Sequence, residues 1–121
     1  MKTIRINRKK WACDPAKWQS ELFNTAENRG CCLGHVIHQI KKCAWSDLAN
    51  LGCPDEYYKG DTLLTTKINC IAYSRARDNQ LSSAAININD DSRLSTKEKE
   101  KQLKSLFKKH DINLEFYGNL E

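Results

Sequence analysis

Polar and apolar residues alternate along the first positions of the chain. Ile4 and Ile6 are separated by Arg5 and flanked by Thr3 and Asn7. A period of two is typical of a β-strand that has one buried face. We therefore predict a strand over residues 3–7, with both isoleucines pointing into the core.

The clearest helical pattern of the first half lies between Cys31 and Ala44. Its apolar residues recur at the three- and four-residue spacing of an amphipathic helix: Leu33, Val36, Ile37, Ile40 and Ala44. Gly34 weakens a helix, so its presence indicates that another element packs closely there. We predict a helix over residues 31–44 with a close contact at the glycine.

Two shorter helices are predicted on either side of it. Asp14 followed by Pro15 is a typical helix start, because Asp can cap free amides and Pro loses no hydrogen bond at the first helical position. This helix is predicted to end at about Phe23. Residues 46–51 precede a glycine and a proline, which predicts a second short helix that stops at the glycine.

The middle of the chain has a weaker pattern. Residues 62–73 are rich in Thr, Ile and Leu, which favours a strand, although the pattern is also compatible with a helix. Asp78 is placed to cap a short helix that carries Leu81, Ala84 and Ala85. We predict a strand followed by a short helix in this part.

The last third has the strongest pattern. It predicts a strand over residues 85–89, a turn at residues 90–91, a helix over residues 96–110 and a strand over residues 112–116. Ser95 and Glu98 have the spacing of a capping box and mark the start of the helix. The connection is long enough for the two strands to pair in parallel, so we predict a closing strand-helix-strand unit.

These elements predict one small α+β domain over residues 1–121. We expect a mixed sheet of about three to five strands with about two to four helices. Apolar residues make up 40% of the chain and charged residues 29%, as in ordinary globular proteins. No apolar stretch is long enough to cross a membrane, and the start lacks the pattern of a secretory signal, so we expect a cytosolic protein. Its six cysteines are then expected to be thiols.

Positive charge is concentrated near both ends of the chain, and the formal net charge is +5. The candidate residues for an anionic ligand are Arg5, Arg8, Lys9 and Lys10 near the start, and Lys97, Lys101, Lys104 and Lys108 in the predicted last helix. The four later lysines share one helix face, which could follow a row of phosphates. No aromatic residues interleave with them, so a solvated helix face is the alternative interpretation.

Several short motifs lie along the chain together with a basic opening from Ile4 to Trp11: Leu22-Phe23-Asn24, Gly30-Cys31-Cys32-Leu33-Gly34, Ile88-Asn89-Asp90-Asp91, Leu106-Phe107 and Asp111-Ile112-Asn113-Leu114-Glu115-Phe116. In these motifs and their order the chain resembles a family of small, uncharacterised proteins encoded by tailed bacteriophages and prophages. His35 and His38 depart from the family pattern, and residues 53–79 match nothing in it. The resemblance implies a phage accessory protein that acts in the host cytoplasm, and it implies no reaction.

Two groups of residues have the chemistry of a metal or catalytic site. Cys31, His35 and His38 fall on the side of the predicted helix opposite its apolar stripe, and Cys31 and His35 could also act as a thiol-imidazole pair. Asp90 and Asp91 could bind magnesium through paired carboxylates. The alternatives are a polar helix face and a turn, and because neither group has a complete ligand or catalytic set, we expect no cofactor and no catalysis.

Three functions follow as hypotheses. The first is a phage accessory protein that binds and modulates a host protein, such as a defence or regulatory protein, without catalysis. The second is a protein that binds an anionic ligand, either nucleic acid or a nucleotide signal, through its basic residues. The third is a small enzyme that depends on a metal or a thiol. A host protein is the expected partner, no membrane partner is expected, and a homo-oligomer remains open.

Overall fold

The computed structural model describes residues 2–14, 16–18, 21–49 and 80–120, with the backbone alone for residues 80–83. The regular elements are β1 (Lys2–Asn7), a 3-10 turn (Arg8–Lys10), α1 (Cys32–Lys41), a short 3-10 helix (Trp45–Leu48), α2 (Gln80–Asn89), α3 (Thr96–Lys108) and β2 (Ile112–Tyr117). The described part is therefore a small α+β domain.

The sheet joins the two ends of the chain. Strands β1 and β2 run parallel, with Ile4 opposite Leu114 and Arg5 opposite Glu115. The two strands were predicted individually, and both are confirmed. The described residues contain these two strands instead of the predicted three to five, and the strand predicted over residues 62–73 lies outside the described residues.

The prediction of a strand over residues 85–89 is wrong. This segment is the second half of α2, in which Ala85 and Asn89, four positions apart, are both fully buried. A four-residue repeat of buried positions belongs to a helix, whereas the alternation of Ile86 and Ile88 in the sequence suggested a strand. The parallel partner of β2 is therefore β1, and the predicted strand-helix-strand unit is a helix-helix-strand unit.

The helix predictions for the first half have mixed outcomes. Helix α1 is confirmed, although it is shorter than predicted. The helix predicted over residues 14–23 is wrong in the described positions, because residues 16–18 form a turn and Phe23 makes a bridge to Ala49. The backbone of Asn24 instead exchanges hydrogen bonds with that of Arg29. Of the helix predicted over residues 46–51, the described part is the 3-10 helix at Trp45–Leu48.

The core lies between the helices and one face of the sheet. Ile4 and Ile6 are fully buried, while Arg5 between them is exposed. Helix α3 contributes Leu103 and Phe107, which are also fully buried. The opposite face of the sheet therefore remains open to solvent, as the period-two pattern predicted.

The contact predicted at Gly34 is confirmed. A Cβ atom at this position of α1 would overlap the backbone oxygen of Leu22. Gly30 approaches the same carbonyl group just before the helix. The two glycines thus let the segment around Leu22 lie directly against the start of α1.

Buried polar groups tie the beginning of the chain to α2 and α3. Asn89 at the end of α2 donates a hydrogen bond from Nδ2 to the carbonyl of Ala12 at 2.8 Å. The backbone carbonyl of Asn89 accepts a hydrogen bond at 2.9 Å from Nζ of Lys99. Lys99 is only 3% exposed, and its Nζ also donates to the backbone carbonyl of Cys13. These contacts fix the segment that follows β1.

Candidate functional site

A small cleft of about 180 Å³ opens where β1 and β2 end. Its described lining comprises the basic and polar residues Arg5, Asn7, Lys10, His35, His38 and Gln39 and the aromatic residues Trp45 and Tyr117. Parallel strands place their carboxyl ends at the same edge of a sheet, which is why Asn7 and Tyr117, paired in the register, both reach the cleft. None of these eight lining residues is acidic.

Arg5 lies on the open face of the sheet beside the cleft. Its guanidinium carbon lies 4.9 Å from the centroid of the Tyr117 ring, and its Nε atom lies 3.6 Å from a carboxylate oxygen of Glu115. Both partners of this ion pair are more than half exposed, so the pair is weak and a ligand anion competes with Glu115 for Arg5.

Gln39 of α1 closes the outer edge of β1 at the same residue. Its Oε1 accepts a hydrogen bond from the Arg5 amide at 3.0 Å, and its Nε2 donates to the Arg5 carbonyl at 2.6 Å. The side-chain amide therefore occupies the place of a neighbouring strand. This contact holds the last turn of α1 against β1 and forms one wall of the cleft.

His35 fixes the backbone of Lys10 at the cleft. The Nε2 atom of His35 donates a hydrogen bond to the Lys10 carbonyl at 2.8 Å, and the Gly30 amide donates to the same oxygen at 2.9 Å. Burial lowers the pKa of His35 to about 4, because water cannot stabilise the charged imidazolium there. His35 is thus a neutral, structural histidine at neutral pH.

His38 and Trp45 form the aromatic wall. The two rings stack with centroids 4.1 Å apart, and Nδ1 of His38 donates a hydrogen bond to the carbonyl of Cys43 at 2.7 Å. Phe23 lies near the Trp45 ring as well, at 4.8 Å between centroids. The wall is therefore formed by α1 and the following 3-10 helix, and Phe23 from the loop before α1 packs against the Trp45 ring.

Comparison of the chain with protein-family models, curated proteins and solved structures finds no match. The interpretation of the cleft consequently depends on its geometry. Within the described ranges, no helix has the length and apolar character needed to cross a bilayer.

The four basic residues near the start of the chain, which were predicted to bind an anionic ligand, have different surroundings in the structure. Arg5 and Lys10 line the cleft. Arg8 instead makes a bidentate ion pair with Glu100, at 2.7 and 2.8 Å, and donates to the carbonyl of Gly118. Lys9 is exposed and lies outside the cleft lining. Arg8 thus links the ends of both strands to α3, and Arg5 and Lys10 remain the candidates for ligand binding.

The four lysines predicted to share a face of the last helix are all exposed. Lys97, Lys101, Lys104 and Lys108 are on α3, and Lys104 lies 5.9 Å from the centroid of the Phe116 ring. None of them lines the cleft. The sequence did not predict that Lys99 of the same helix would be buried, because nothing in the pattern distinguishes it from the neighbouring exposed lysines.

The structure does not unite the residues predicted to bind a metal. Cys31 and His35 are buried in the core, at 4% and 2% exposure, rather than on a polar helix face. The described cysteines Cys13, Cys31, Cys32 and Cys43 are free thiols. In the described ranges, no three His, Cys, Asp or Glu residues are grouped as a metal site would require.

Burial also bears on the thiol-imidazole hypothesis. It raises the pKa of Cys31 to about 11, so this residue is a protonated thiol at neutral pH. The ring nitrogen Nε2 of His35 is already used by the Lys10 carbonyl. The pair therefore lacks an activated nucleophile.

Asp90 and Asp91 act within the turn between α2 and α3. Asp90 accepts a hydrogen bond from the side chain of Asn89 at 2.9 Å. Asp91 accepts from the backbone amide and the guanidinium of Arg93, and these hydrogen bonds lower its pKa. The geometry corresponds to the turn that the sequence also allowed.

A second cavity of about 190 Å³ lies at the start of α3. Its lining includes Lys99, whose ammonium group is held by two backbone carbonyls, and Asp14, whose carboxylate would oppose an anion. Ser95 at this end of α3 already caps the amide of Glu98. This cavity is less suited to an anion than the cleft at the strand ends.

Proposed function

We propose that this protein binds a phosphate-bearing ligand in the cleft at the ends of β1 and β2. The observation that carries the proposal is the convergence of Arg5 and Lys10 on a concave site whose described lining contains no carboxylate. A guanidinium and an ammonium group are the usual partners of phosphate oxygens in proteins. This is the anionic-ligand hypothesis, restricted to two of its eight residues.

The polar neighbours of these cations support the proposal. Asn7 also lines the cleft; its Oδ1 accepts a hydrogen bond from the Lys9 amide, and its Nδ2 is a hydrogen-bond donor. Among the described residues, none of the ion pairs includes Lys10. Its backbone is held in place by the hydrogen bonds from His35 and Gly30, which reduces the ordering that binding requires.

The volume of the cleft limits what it can enclose. Pockets that take drug-sized ligands have volumes of roughly 300–1,000 Å³. The cleft, at about 180 Å³, can enclose a phosphate group but only part of a larger molecule. The ligand is therefore either a small phosphate ester or one phosphate of a longer chain.

Calorimetric titration of the full-length protein with ribose 5-phosphate at low ionic strength tests the proposal. The double substitution Arg5→Gln and Lys10→Gln is expected to weaken binding by at least about tenfold, since two charge-assisted contacts are lost. Lys101→Gln with Lys108→Gln changes the net charge equally and serves as the matched control. Glu115→Gln is expected to strengthen binding, because it removes the carboxylate that competes for Arg5.

Two results would refute this proposal. The first is an absence of binding by the unchanged protein at low salt. The second is a loss of affinity in the control variant that equals the loss in the cleft variant, which would place the ligand on α3.

The role of an accessory protein that modulates a host protein in the host cytoplasm remains a proposal, supported by the resemblance to phage proteins. Among the described residues, Tyr117 is the single large apolar side chain that is exposed. Binding of a phosphate ligand is compatible with such a role. Affinity capture from infected cells, repeated with the cleft variant, would connect the two proposals.

A further inference from the structure

Tyr117 gives the cleft a feature that phosphate binding alone does not require. Its side chain lies at the end of β2, is 42% exposed and lines the cleft together with Arg5. A single exposed apolar side chain is common on a protein surface, so the exposure of Tyr117 matters here because the ring lies beside Arg5 in the cleft. An exposed ring beside two cations is suited to a ligand that has both a planar ring and a negative charge.

Trp45 cannot serve as the stacking surface, although it lines the same cleft. Its ring is stacked on His38 at 4.1 Å between centroids, with an angle of 17°. Phe23 lies 4.8 Å from it at 31°. These neighbours leave Tyr117 as the aromatic residue of the described lining that is open to a ligand.

We propose that the ligand is a nucleoside phosphate, with its phosphate held by Arg5 and Lys10 in the cleft and its base stacked on the ring of Tyr117. This inference rests on the proposed function. The cleft is too small for a whole nucleotide, so the base must lie outside the enclosed volume. Tyr117 is the exposed aromatic group at that opening. The Arg5 guanidinium lies over one face of the Tyr117 ring, 4.9 Å from its centroid, so the base stacks on the opposite face.

A free nucleotide and a single-stranded nucleic acid both provide a phosphate group and an accessible base. A base in a duplex is already stacked and paired, and so is not available to Tyr117. The inference therefore includes single strands and excludes duplexes as preferred ligands.

The test compares ribose 5-phosphate, a nucleoside 5′-monophosphate, a short single-stranded oligonucleotide and its duplex, each titrated into the full-length protein at one fixed ionic strength. Stacking of a base on an aromatic ring strengthens binding by roughly tenfold or more. The monophosphate or the single strand is therefore expected to bind at least about tenfold more tightly than ribose 5-phosphate. Whichever of the two shows the larger gain identifies the source of the ligand.

Substitution of Tyr117 assigns this gain to its ring. Tyr117→Ala should lower the ratio of the affinity for the nucleoside monophosphate to that for ribose 5-phosphate from at least about tenfold to about one. The ratio is the readout because the Tyr117 ring also contacts Arg5, so its removal affects phosphate binding as well. Tyr117→Phe keeps the ring and should retain the preference. Because Tyr117 is exposed, both variants are expected to fold, and their thermal melting checks this.

The possible failures are distinguishable. Equal affinities for ribose 5-phosphate and for the ligands with a base, or a preference that survives Tyr117→Ala, would overturn this inference and leave phosphate binding intact. Binding of the duplex as tight as that of the single strand would also overturn it. An absence of binding by every phosphate compound would overturn the proposed function itself.

Discussion

The indole Nε1 of Trp11 donates a hydrogen bond to Oδ1 of Asn89 at 2.7 Å, and both side chains are fully buried. The same oxygen accepts from the backbone amide of Cys32, the first residue of α1, at 3.2 Å. A single side chain of α2 thereby connects the segment after β1 with the start of α1. Both the segment and the helix contribute to the cleft, so the position of the cleft depends on Asn89.

We predict that Asn89→Ala lowers the free energy of unfolding by about 2–4 kcal/mol. The substitution leaves the buried N–H of Trp11 without a partner and also removes the hydrogen bond to the Ala12 carbonyl. Urea denaturation followed by circular dichroism measures the change. Asn87→Ala, on an exposed position of the same helix, is the control and should alter the free energy by less than about 0.5 kcal/mol. Equal effects would contradict the assigned network.

A second prediction concerns Gly34. Alanine is about 1 kcal/mol more favourable than glycine in an open helix, so propensity alone predicts that Gly34→Ala is stabilising. Because the new Cβ would overlap the Leu22 backbone oxygen, we predict a loss of about 1–3 kcal/mol instead. Thermal unfolding shows whether the substitution raises or lowers stability. Ser105→Ala, on the exposed face of α3, is the control without a clash. A higher melting temperature for Gly34→Ala would show that Leu22 does not approach α1.

The lowered pKa of His35 predicts a loss of stability in acid. The unfolded chain binds a proton at this residue below about pH 6.5, whereas the folded protein does so below about pH 4. Stability therefore falls as the pH falls between these values, by about 3 kcal/mol in full, and this penalty is absent at neutral pH. Positive charge at His38 and Lys10 also lowers the pKa of His35, as burial does.

Urea denaturation at several pH values between about 4 and about 7 measures this dependence. His35→Gln should flatten the slope whatever its effect on absolute stability, because glutamine does not titrate. An unchanged slope in this variant would mean that His35 is not the group responsible.

The described thiols should differ in reactivity. Burial raises the pKa of Cys31 to about 11 and that of Cys32 well above its usual value, while Cys43 is partly exposed. Alkylation requires an accessible thiolate, so Cys43 is predicted to react at least about tenfold faster than Cys31 or Cys32 at neutral pH. Mass spectrometry of peptides after timed alkylation measures each site. The difference should disappear in denaturant, and a fast reaction of Cys31 in the folded protein would contradict its burial.

The candidate site was only partly predictable from the sequence. The basic opening indicated an anionic ligand, and Arg5 and Lys10 do line the cleft. The sequence did not show that Arg8 is paired with Glu100, since these residues are 92 positions apart. Tyr117 and Gln39 were also missed, because an outward-facing position on a strand or a helix has no distinctive pattern before its neighbours are known.

The sequence by itself determined the elements whose signals are local. The alternation of Ile4 and Ile6, the apolar repeat of α1, and the cap formed by Ser95 and Glu98 identify β1, α1 and α3, because each depends on residues a few positions apart. Only the tertiary structure decided the pairing of β1 with β2 and the helical state of residues 85–89. Both depend on packing between segments distant in the chain, which also decided that His35 is buried and that the two strand ends form one cleft.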